Sequence, residues 1–442
     1  MRTGHKPKRP KVLDLFSGAG GIAAGFEDAG YEIVGGVDFS KHAIATFTRN
    51  FPNAPGMLRD LRLTDFSDID AYVDGDVDVI VGGPSCQGFS TSGGLSKSSG
   101  RDEADPRNRL FLNYIGIVDL LQPKWIVFEN VPGLLLYESG KVALDIVKAF
   151  REIGYTIVPM ILLAADFGVP QLRRRLVFVG NRTGSEICFP AATHGNPDLW
   201  KNFSLPFAHL SRIGHGNQGE VLKHVGFEDA CGDLPAIAEG GRIDGDPYPT
   251  PARNEFQRMI RKGSDAVRQH EAADLSRLDH IAANTLEQGQ NWRNLPADVL
   301  PPRFAKIRPY DATTLLKRLR AELPSYTITT KFNEATTGAF IHPTQPRTIS
   351  LREAARLQSF PDRFVFEGSP AEIRRQIGNA VPPLLARCIA EAIMPAVMKD
   401  AFDVSIPHLR DVLTVDGAPE GGDHLKLLGA RRKPADAHPV LL

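Results

Sequence analysis

The sequence has little cysteine, no long apolar run and no excess of charge of either sign. Four cysteines occur in 442 residues, Cys86, Cys188, Cys231 and Cys388, and no two of them form a Cys-x-x-Cys pair. This spacing argues against a disulfide framework or a zinc ribbon and is typical of a protein of the reducing cytosol. The absence of 18 consecutive apolar residues excludes a transmembrane helix, and the basic N-terminus lacks the apolar stretch of a signal peptide. We therefore expect a cytoplasmic protein that does not enter a membrane.

Charge is balanced, with 52 Lys and Arg against 52 Asp and Glu, but two regions are basic. Residues 1–11 carry five cations and no acid, and residues 293–331 carry eight cations against three acids. A basic stretch is most often a solvated surface, and it also suits a polyanion such as nucleic acid. Composition therefore permits a nucleic-acid partner without showing one.

Apolar segments of strand length alternate with segments of helical periodicity through the first 180 residues. The predicted strands are 11–16, 32–37, 77–81, 125–128, 157–163 and 176–180, and the predicted helices are 22–29, 110–121 and 141–153. This alternation predicts an α/β fold with a Rossmann-like, doubly wound and mostly parallel sheet.

The alternation ends after Asn181, where Pro, Gly, Asn and His become frequent. Residues 183–346 are too many for a loop of a compact domain, so we predict a smaller, irregular second domain there. Helical segments return at 350–358 and 383–397. We therefore predict a first domain over 1–182, completed by a returning segment over 347–400, and a partly ordered tail over 401–442.

A glycine-rich turn follows the first predicted strand and matches G-x-G-x-x-A from Gly18 onward. Asp38 stands 20 residues later, at the end of the next strand. Glycines let the backbone approach a ligand, and the acid can accept hydrogen bonds from ribose hydroxyls, as in sites for NAD, FAD or S-adenosylmethionine. Asp60 stands where a further strand would end, and it could accept from an adenine amino group.

Cys86 lies in the segment GGPSCQGFS (82–90), directly after the strand predicted at 77–81. The carboxyl end of such a strand is the ligand side of the fold. Its Gly, Pro, Ser and Gln neighbours cannot build a core around Cys86, so the thiol is a candidate nucleophile. Residues 90–108, rich first in Gly and Ser and then in Arg and Asp, are typical of a mobile loop that could cover a site.

With these segments the sequence resembles the DNA (cytosine-5) methyltransferases. Six segments occur in the family's order: DLFSGAGG (14–21), GGPSCQGFS (82–90), FENV (128–131), QLRRR (171–175), RTISLREAARLQSFP (347–361) and RQIGNAVPP (375–383). The gap before the fifth segment is where this family places its target-recognition domain, which assigns that role to residues 183–346. The resemblance implies a bacterial modification enzyme that transfers a methyl group from S-adenosylmethionine to C5 of a cytosine flipped out of a short site in double-stranded DNA.

The resemblance also implies roles for individual residues. Cys86 is the nucleophile that adds to C6 of the ring, Glu129 holds N3 and the exocyclic amine, and Arg173 and Arg175 support O2. The implied cofactor site comprises Phe16, Gly18, Gly20, Asp38, Asp60, Pro84, Leu110 and Asn379.

Further residues are expected to position the DNA or the domains. Gln171 alternates with Arg173 and Arg175, so a strand would place all three on one face. We expect contacts to DNA from Gln87, Ser90 and Gln171. Arg347, Glu353 and Arg356 are expected to organise the second domain against the first.

The sequence departs from the family pattern at two positions. Ser85 replaces a usual proline, which softens the loop but keeps the backbone carbonyl that could bind the cytosine amine. Asp38 stands where glutamate is common, and the shorter acid can still reach a ribose. We expect both changes to leave activity intact.

Three other functions fit part of the pattern. An NAD-dependent oxidoreductase shares the glycine turn and Asp38, but leaves Cys86 and Glu129 unexplained. A tRNA cytosine-5 methyltransferase of the same fold typically carries Cys-Phe-Thr, whereas Cys188-Phe189 is followed here by Pro190. A non-catalytic DNA-binding regulator has no need of Cys86, Glu129 and Asn379. We therefore expect a monomeric methyltransferase with S-adenosylmethionine as cofactor, DNA as substrate, no metal, and a restriction endonuclease as its functional counterpart.

Overall fold

The structure is a computed structural model that describes residues 9–63, 65–73, 75–84, 110–135, 140–195, 221–308 and 311–399. The strands of its first part are β1 (Lys11–Leu15), β2 (Glu32–Asp38), β3 (Gly56–Leu58), β4 (Val79–Gly82), β5 (Trp125–Asn130), β6 (Thr156–Leu163), β7 (Gln171–Leu172) and β8 (Arg174–Asn181). The helices of this part are α1 (Gly21–Asp28), α2 (Lys41–Asn50), α3 (Ser67–Tyr72), α4 (Leu110–Leu121) and α5 (Lys141–Glu152).

Seven of these strands form one sheet in the order β3-β2-β1-β4-β5-β8-β6. The pairs from β3 to β5 are parallel, whereas β8 runs antiparallel to both of its neighbours. The connection between β6 and β8 is too short for a helical crossover, so the returning strand has to reverse direction. The α/β fold with a mostly parallel sheet is thus confirmed, and the strand order changes direction between β1 and β4, where such sheets bind their ligands.

Side chains of the sheet alternate between two apolar layers. Val12 packs with residues of α1, whereas Leu13 and Leu15 pack with residues of α4 and α5. The sequence analysis predicted neither α2 nor α3. The N-cap of α2 is Ser40, whose hydroxyl accepts from the backbone N–H of Ala43.

Residues 221–346 contain few regular elements, as predicted. They comprise the helices α6 (Phe227–Cys231), α7 (Glu255–Ile260) and α8 (Arg277–Thr285) and the strands β9 (Arg242–Ile243), β10 (Asp246–Pro247), β11 (Ala266–Val267), β12 (His270–Glu271) and β13 (Ser325–Tyr326). The last of these strands pairs in parallel with β7. Phe227 and Ile260 share a core with α1, whereas Trp292, Phe304 and Leu316 belong to a separate cluster. The domain boundaries at 183 and 346 stay a prediction.

The chain returns to the sheet through α9 (Leu351–Leu357), α10 (Pro370–Asn379) and α11 (Pro383–Val397). The helix α10 was also missed, although it starts at a serine cap followed by proline, a common beginning of a helix. A Cβ atom on Gly25 of α1 would lie 2.3 Å from the Pro383 carbonyl oxygen, so this glycine is what allows α1 and α11 to pack so closely.

Residues 370–397 are the one stretch of the described chain whose length and composition would allow a membrane span. The stretch consists of two helices with a break between them, and half of its most apolar window is buried inside the protein. Core helices of globular proteins have the same composition, and these two pack in the same way.

Buried ion pairs fasten the returning segment to the region before it. Arg347 Nη2 lies 2.7 Å from Glu353 Oε1, and Arg347 Nε also donates to the Ile237 carbonyl. Arg356 is fully buried and contacts the carboxylates of Asp233 and Asp362. These contacts confirm that Arg347, Glu353 and Arg356 organise the interface between the two regions.

Candidate active site

The glycine turn forms the centre of the carboxyl edge of the sheet. Phe16, Gly18 and Gly20 all adopt positive φ angles, of 54°, 54° and 93°. A Cβ atom on Gly20 would lie 2.5 Å from the Phe51 ring, whereas a Cβ on Gly18 would meet no atom within 4 Å. The turn is therefore packed on one side and open on the other, and its open side leaves room for a ligand against the backbone.

Asp38 ties the end of β2 to this turn. Its Oδ2 accepts from the Gly18 N–H at 2.9 Å, and its Oδ1 accepts from the Ser40 N–H at 2.8 Å. Burial raises the pKa of Asp38, although these backbone donors oppose the shift. Each carboxylate oxygen can accept more than one hydrogen bond, so Asp38 can also accept one from a ribose hydroxyl.

Phe39, directly after Asp38, was missed in the sequence analysis. Its side chain is 69% exposed, which is unusual for a phenylalanine at the end of a buried strand. The signal in the sequence was an aromatic residue next to the acid of a nucleotide-binding pattern. An exposed ring at this edge offers a flat apolar surface to a planar ligand such as a purine.

The other predicted cofactor residues surround the same edge. Asp60 follows β3, and its carboxylate lies 2.9 Å from Nε of Arg62, which lowers its pKa. Pro84 is buried at the end of β4, and Leu110 is buried at the start of α4. An adenine amino group bound by Asp60 would therefore share the carboxylate with the exposed Arg62.

Asn379 reaches this edge from the far end of the chain. It is exposed at the end of α10, and the next residues lie directly on the glycine turn. A Cβ on Gly21 would lie 2.4 Å from the Val381 carbonyl oxygen and 3.4 Å from the Ala380 Cβ. The segment that follows Asn379 thus lies directly against the glycine turn, and the role of Asn379 in cofactor binding stays a prediction.

Asp14 is a second residue that the sequence analysis missed as part of the site. It is fully buried in β1, and its Oδ2 accepts from the Ala23 N–H of α1 at 3.2 Å. The N-cap residue of α1 is Gly20, which has no side chain to cap the helix. Asp14 therefore supplies the missing cap from the strand, while its Oδ1 has no hydrogen-bond partner among the described residues.

Glu129 and Arg175 form an ion pair next to the start of the cysteine segment. Glu129 lies on β5, which pairs with β4 so that Phe128 is opposite Gly82. Arg175 Nε is 2.5 Å from Glu129 Oε1, and a Cβ on Gly83 would lie 2.7 Å from Glu129 Oε2. Burial raises the pKa of Glu129 although Arg175 and Arg173 oppose the shift. The acid can therefore hold a proton at the point where the chain enters the cysteine segment.

The predicted common face of Gln171, Arg173 and Arg175 is not formed, because Arg173 lies between the end of β7 and the start of β8. The Arg173 guanidinium is buried and donates to three backbone carbonyls, those of Ile328, Gly378 and Ala380. The expected contact to the base is therefore replaced by contacts that hold the backbone.

Gln171 is also placed differently from the prediction. Its side chain is fully buried, donates to Leu357 and Gln358 and accepts from the Ile328 N–H. A buried amide with all of these partners has no surface to offer to DNA, so the expected DNA contact is corrected to a structural one.

Cys86, Gln87 and Ser90 lie outside the described residues, together with Ser85 and the rest of the segment up to residue 109. The predictions for these residues stay predictions. Within the described ranges, no group of three His, Cys, Asp or Glu side chains could hold a metal ion.

Comparison with known proteins gives a consistent result. Residues 10–395 match the family model described as C-5 cytosine-specific DNA methylase. The chain is 33% identical over 383 residues to the Type II methyltransferase M1.HphI of Haemophilus parahaemolyticus, covering 86% of each chain. It is 33% identical over 405 residues to the Type II methyltransferase M.DdeI of Desulfomicrobium norvegicum, covering 86% of this chain and 88% of that one.

A solved structure supports the fold. It is a putative DNA modification methyltransferase encoded within a prophage of E. coli, which is 24% identical and superposes with a TM-score of 0.64. The match covers 88% of this chain and 100% of the other.

Proposed function

Because the chain belongs to the C-5 cytosine-specific DNA methylase family, we propose that it methylates C5 of a flipped-out cytosine in a specific short site of double-stranded DNA. The observation that carries this proposal is the Glu129–Arg175 pair, packed against Gly83 only three residues before Cys86. An acid that can donate a proton, a cation and a nucleophile are the groups that attack on C6 requires.

In the proposed reaction the thiolate of Cys86 adds to C6 of the ring, and the electron pair of the C5–C6 double bond moves toward N3 and O2. Glu129 donates its proton to N3, and Arg175 stabilises the charge that develops near this carboxyl group. The ring is now an enamine whose C5 attacks a methyl group. S-adenosylmethionine, when bound, would supply that methyl group as an electrophile, with S-adenosylhomocysteine as the leaving group. A base then removes the proton from C5, and the electron pair of that C–H bond re-forms the C5–C6 double bond as the Cys86 thiolate leaves C6. N3 returns its proton to Glu129, which restores the enzyme.

The carboxyl edge of the sheet fits this cofactor. The open side of the turn at Gly18 would accommodate the methionine part, Asp38 would accept from the ribose, and the exposed Phe39 would cover the adenine face. Asp60 would hold the adenine amino group, and Asn379 would close the site from the returning segment. Phe16, Gly20, Pro84 and Leu110 shape the walls of the site.

The biological setting is inferred from the relatives, which are named Type II methyltransferases. We infer that this enzyme protects DNA against a restriction endonuclease with the same recognition site, and that it acts as a monomer in the cytoplasm. The endonuclease is a functional counterpart and need not bind the methyltransferase.

Bisulfite sequencing of DNA from cells that express the protein tests the reaction and reveals the recognition site. We expect fully methylated sites with the parent protein and none with Cys86→Ala. The matched control is Cys188→Ala, which removes an exposed thiol far from the proposed nucleophile in sequence. Equal methylation by Cys86→Ala and the parent would contradict the proposal.

A duplex with 5-fluorocytosine at the target position tests the covalent step. Fluorine cannot leave as a cation, so the proposed adduct with Cys86 would persist and migrate as a protein–DNA complex in a denaturing gel. Failure to trap the complex with an active enzyme would contradict the covalent step. The same assay with tRNA distinguishes the alternative substrate.

A further inference from the structure

The side chain of Arg173 joins two segments that are far apart in the sequence. It is 1% exposed, and its Nη1 donates to the Ile328 carbonyl at 3.0 Å. Its Nη2 donates to the carbonyls of Gly378 at 3.0 Å and Ala380 at 2.9 Å. One rigid guanidinium thus fixes the backbone around 328 relative to the backbone around 378–380.

The two segments also touch each other directly. A Cβ on Gly378 would lie 2.5 Å from the carbonyl carbon of Thr329 and 2.5 Å from the nitrogen of Thr330. Both contacts are to backbone atoms, which cannot rotate away. The two segments therefore cannot move closer together. A displacement of one segment either carries the other with it or breaks the contact between them.

A second buried group reinforces the junction. Gln171 accepts from the Ile328 N–H at 2.9 Å and donates to Gln358 at 3.0 Å. Gln358 in turn donates to the Ile377 carbonyl at 2.7 Å. The junction is thus a buried, hydrogen-bonded unit, and Arg173 makes the direct link between its two sides.

Each side of the junction leads to a different part of the proposed site. Residues 378–381 carry Asn379 and press on the glycine turn at Gly21. On the other side, the chain after Ile328 leads to the exposed Lys331, which lies in the predicted target-recognition domain. A shift of one side is therefore transmitted to the other.

We propose that Arg173 is a positioning residue that couples DNA binding to cofactor binding, an inference that rests on the proposed function. DNA that orders the segment around 328 also orders the segment that closes the cofactor site. The effect is reciprocal, since the factor by which DNA raises cofactor affinity equals the factor by which cofactor raises DNA affinity.

The test measures the Kd of S-adenosylhomocysteine by calorimetry, with and without a duplex that carries the site found by bisulfite sequencing. For the parent protein we expect DNA to lower this Kd by about tenfold, within the usual range of allosteric coupling. In Arg173→Lys we expect a ratio below about twofold. Lysine keeps the charge, but its single nitrogen cannot hold both segments in a fixed plane.

Arg318→Lys is the matched control. Arg318 is also a buried arginine that donates to backbone carbonyls, among them those of Leu286 at 2.6 Å and Gln345 at 3.1 Å. All of its acceptors lie between residues 283 and 345, so it does not connect to the cofactor segment. We expect its substitution to lower the melting temperature and to leave the ratio of the two Kd values unchanged.

Gly378→Ala tests the same junction by another route, and it keeps the proposal open to test if Arg173→Lys does not fold. Its Cβ would push the two segments apart while the guanidinium stays in place, so the ratio should fall in this variant as well. A parent protein without coupling, or variants that keep the parent ratio, would overturn the inference. If the parent protein bound no S-adenosylhomocysteine at all, the proposed function itself would be wrong.

Discussion

Two groups of acids with little exposure to solvent differ in their electrostatic surroundings. At the carboxyl edge of the sheet, burial raises the pKa of Asp14, Asp38 and Glu129. In the interface around α9, nearby arginines lower the pKa of Glu353 and Asp362 although both are equally buried. The first group lies at the proposed active site, whereas the second group fastens two parts of the chain.

The pKa shifts of the two groups differ because the number and the orientation of the cations next to each acid differ. Glu353 receives both terminal nitrogens of Arg347 at 2.7 Å, and Asp362 is bound by Arg356. Asp14 has only one backbone donor among the described residues. The carboxylates of the α9 interface are thus neutralised by arginines of the protein. The acids of the proposed site can still bind a proton or a ligand.

The largest difference between the regions should appear in catalysis. Glu129→Gln removes the proposed proton donor to N3, so we expect kcat to fall by about 10²- to 10⁴-fold. Its melting temperature should change less than that of a variant in the α9 interface, because the Arg175 and Glu129 side chains keep 12% and 13% exposure, whereas Arg347 and Glu353 are buried. Methyl transfer from labelled cofactor and thermal unfolding provide the two measurements. A rate within threefold of the parent would remove Glu129 from the mechanism.

Glu353→Gln should have the largest effect on stability. It leaves Arg347 buried without its carboxylate, and we expect the free energy of unfolding to fall by about 3–5 kcal/mol. Glu372→Gln is the control, because that acid pairs with the exposed Arg375 and should change stability by less than about 1 kcal/mol. Urea denaturation measures both values. Equal losses in the two variants would show that burial does not separate the two kinds of ion pair.

Asp14→Ala should have a smaller effect. Loss of the cap on α1 is expected to cost about 1–2 kcal/mol of unfolding free energy, and also to weaken cofactor binding because the glycine turn loses its support. Asp78→Ala is the matched control, since Asp78 accepts from the Lys11 N–H at the opposite end of β1 at 2.9 Å. If both variants bound S-adenosylhomocysteine as the parent does, Asp14 would have no role beyond stability.

The smallest expected effect is on the pH dependence of stability. Glu353 and Asp362 stabilise the folded protein above their ordinary pKa values of 4.5 and 3.8, and this contribution is lost as the pH falls through their lower folded-state pKa values. Asp38 acts in the opposite sense, because its raised pKa makes stability fall as the pH rises above 3.8. Melting temperatures between pH 3 and pH 7 should therefore fall less steeply on acidification in Glu353→Gln than in the parent. In Asp38→Asn the fall should be steeper, and parallel curves would contradict the assignment.

Much of the site was predictable because it depends on local sequence and on neighbouring strands. The glycine turn and Asp38 lie at the ends of β1 and β2, and Glu129 lies beside Gly83 because β4 and β5 are adjacent and parallel. Strand ends can be located from apolar periodicity, and parallel neighbours bring their carboxyl ends to the same edge. The same reasoning located α4 and α11, whose apolar faces are clear, and missed α2, α3 and α10, whose patterns are more polar.

The sequence by itself determined where the strands of the sheet lie, which turn can approach a ligand and which acid stands beside the cysteine segment. The tertiary structure alone decided that β8 runs antiparallel and that Gln171 and Arg173 face the interior. It also decided that Ala380 and Val381 lie against Gly21 and that Asp14 caps α1. The physical reason is distance along the chain: periodicity and turn chemistry act over a few residues, whereas the partner of a buried polar group is fixed only when remote segments pack against it.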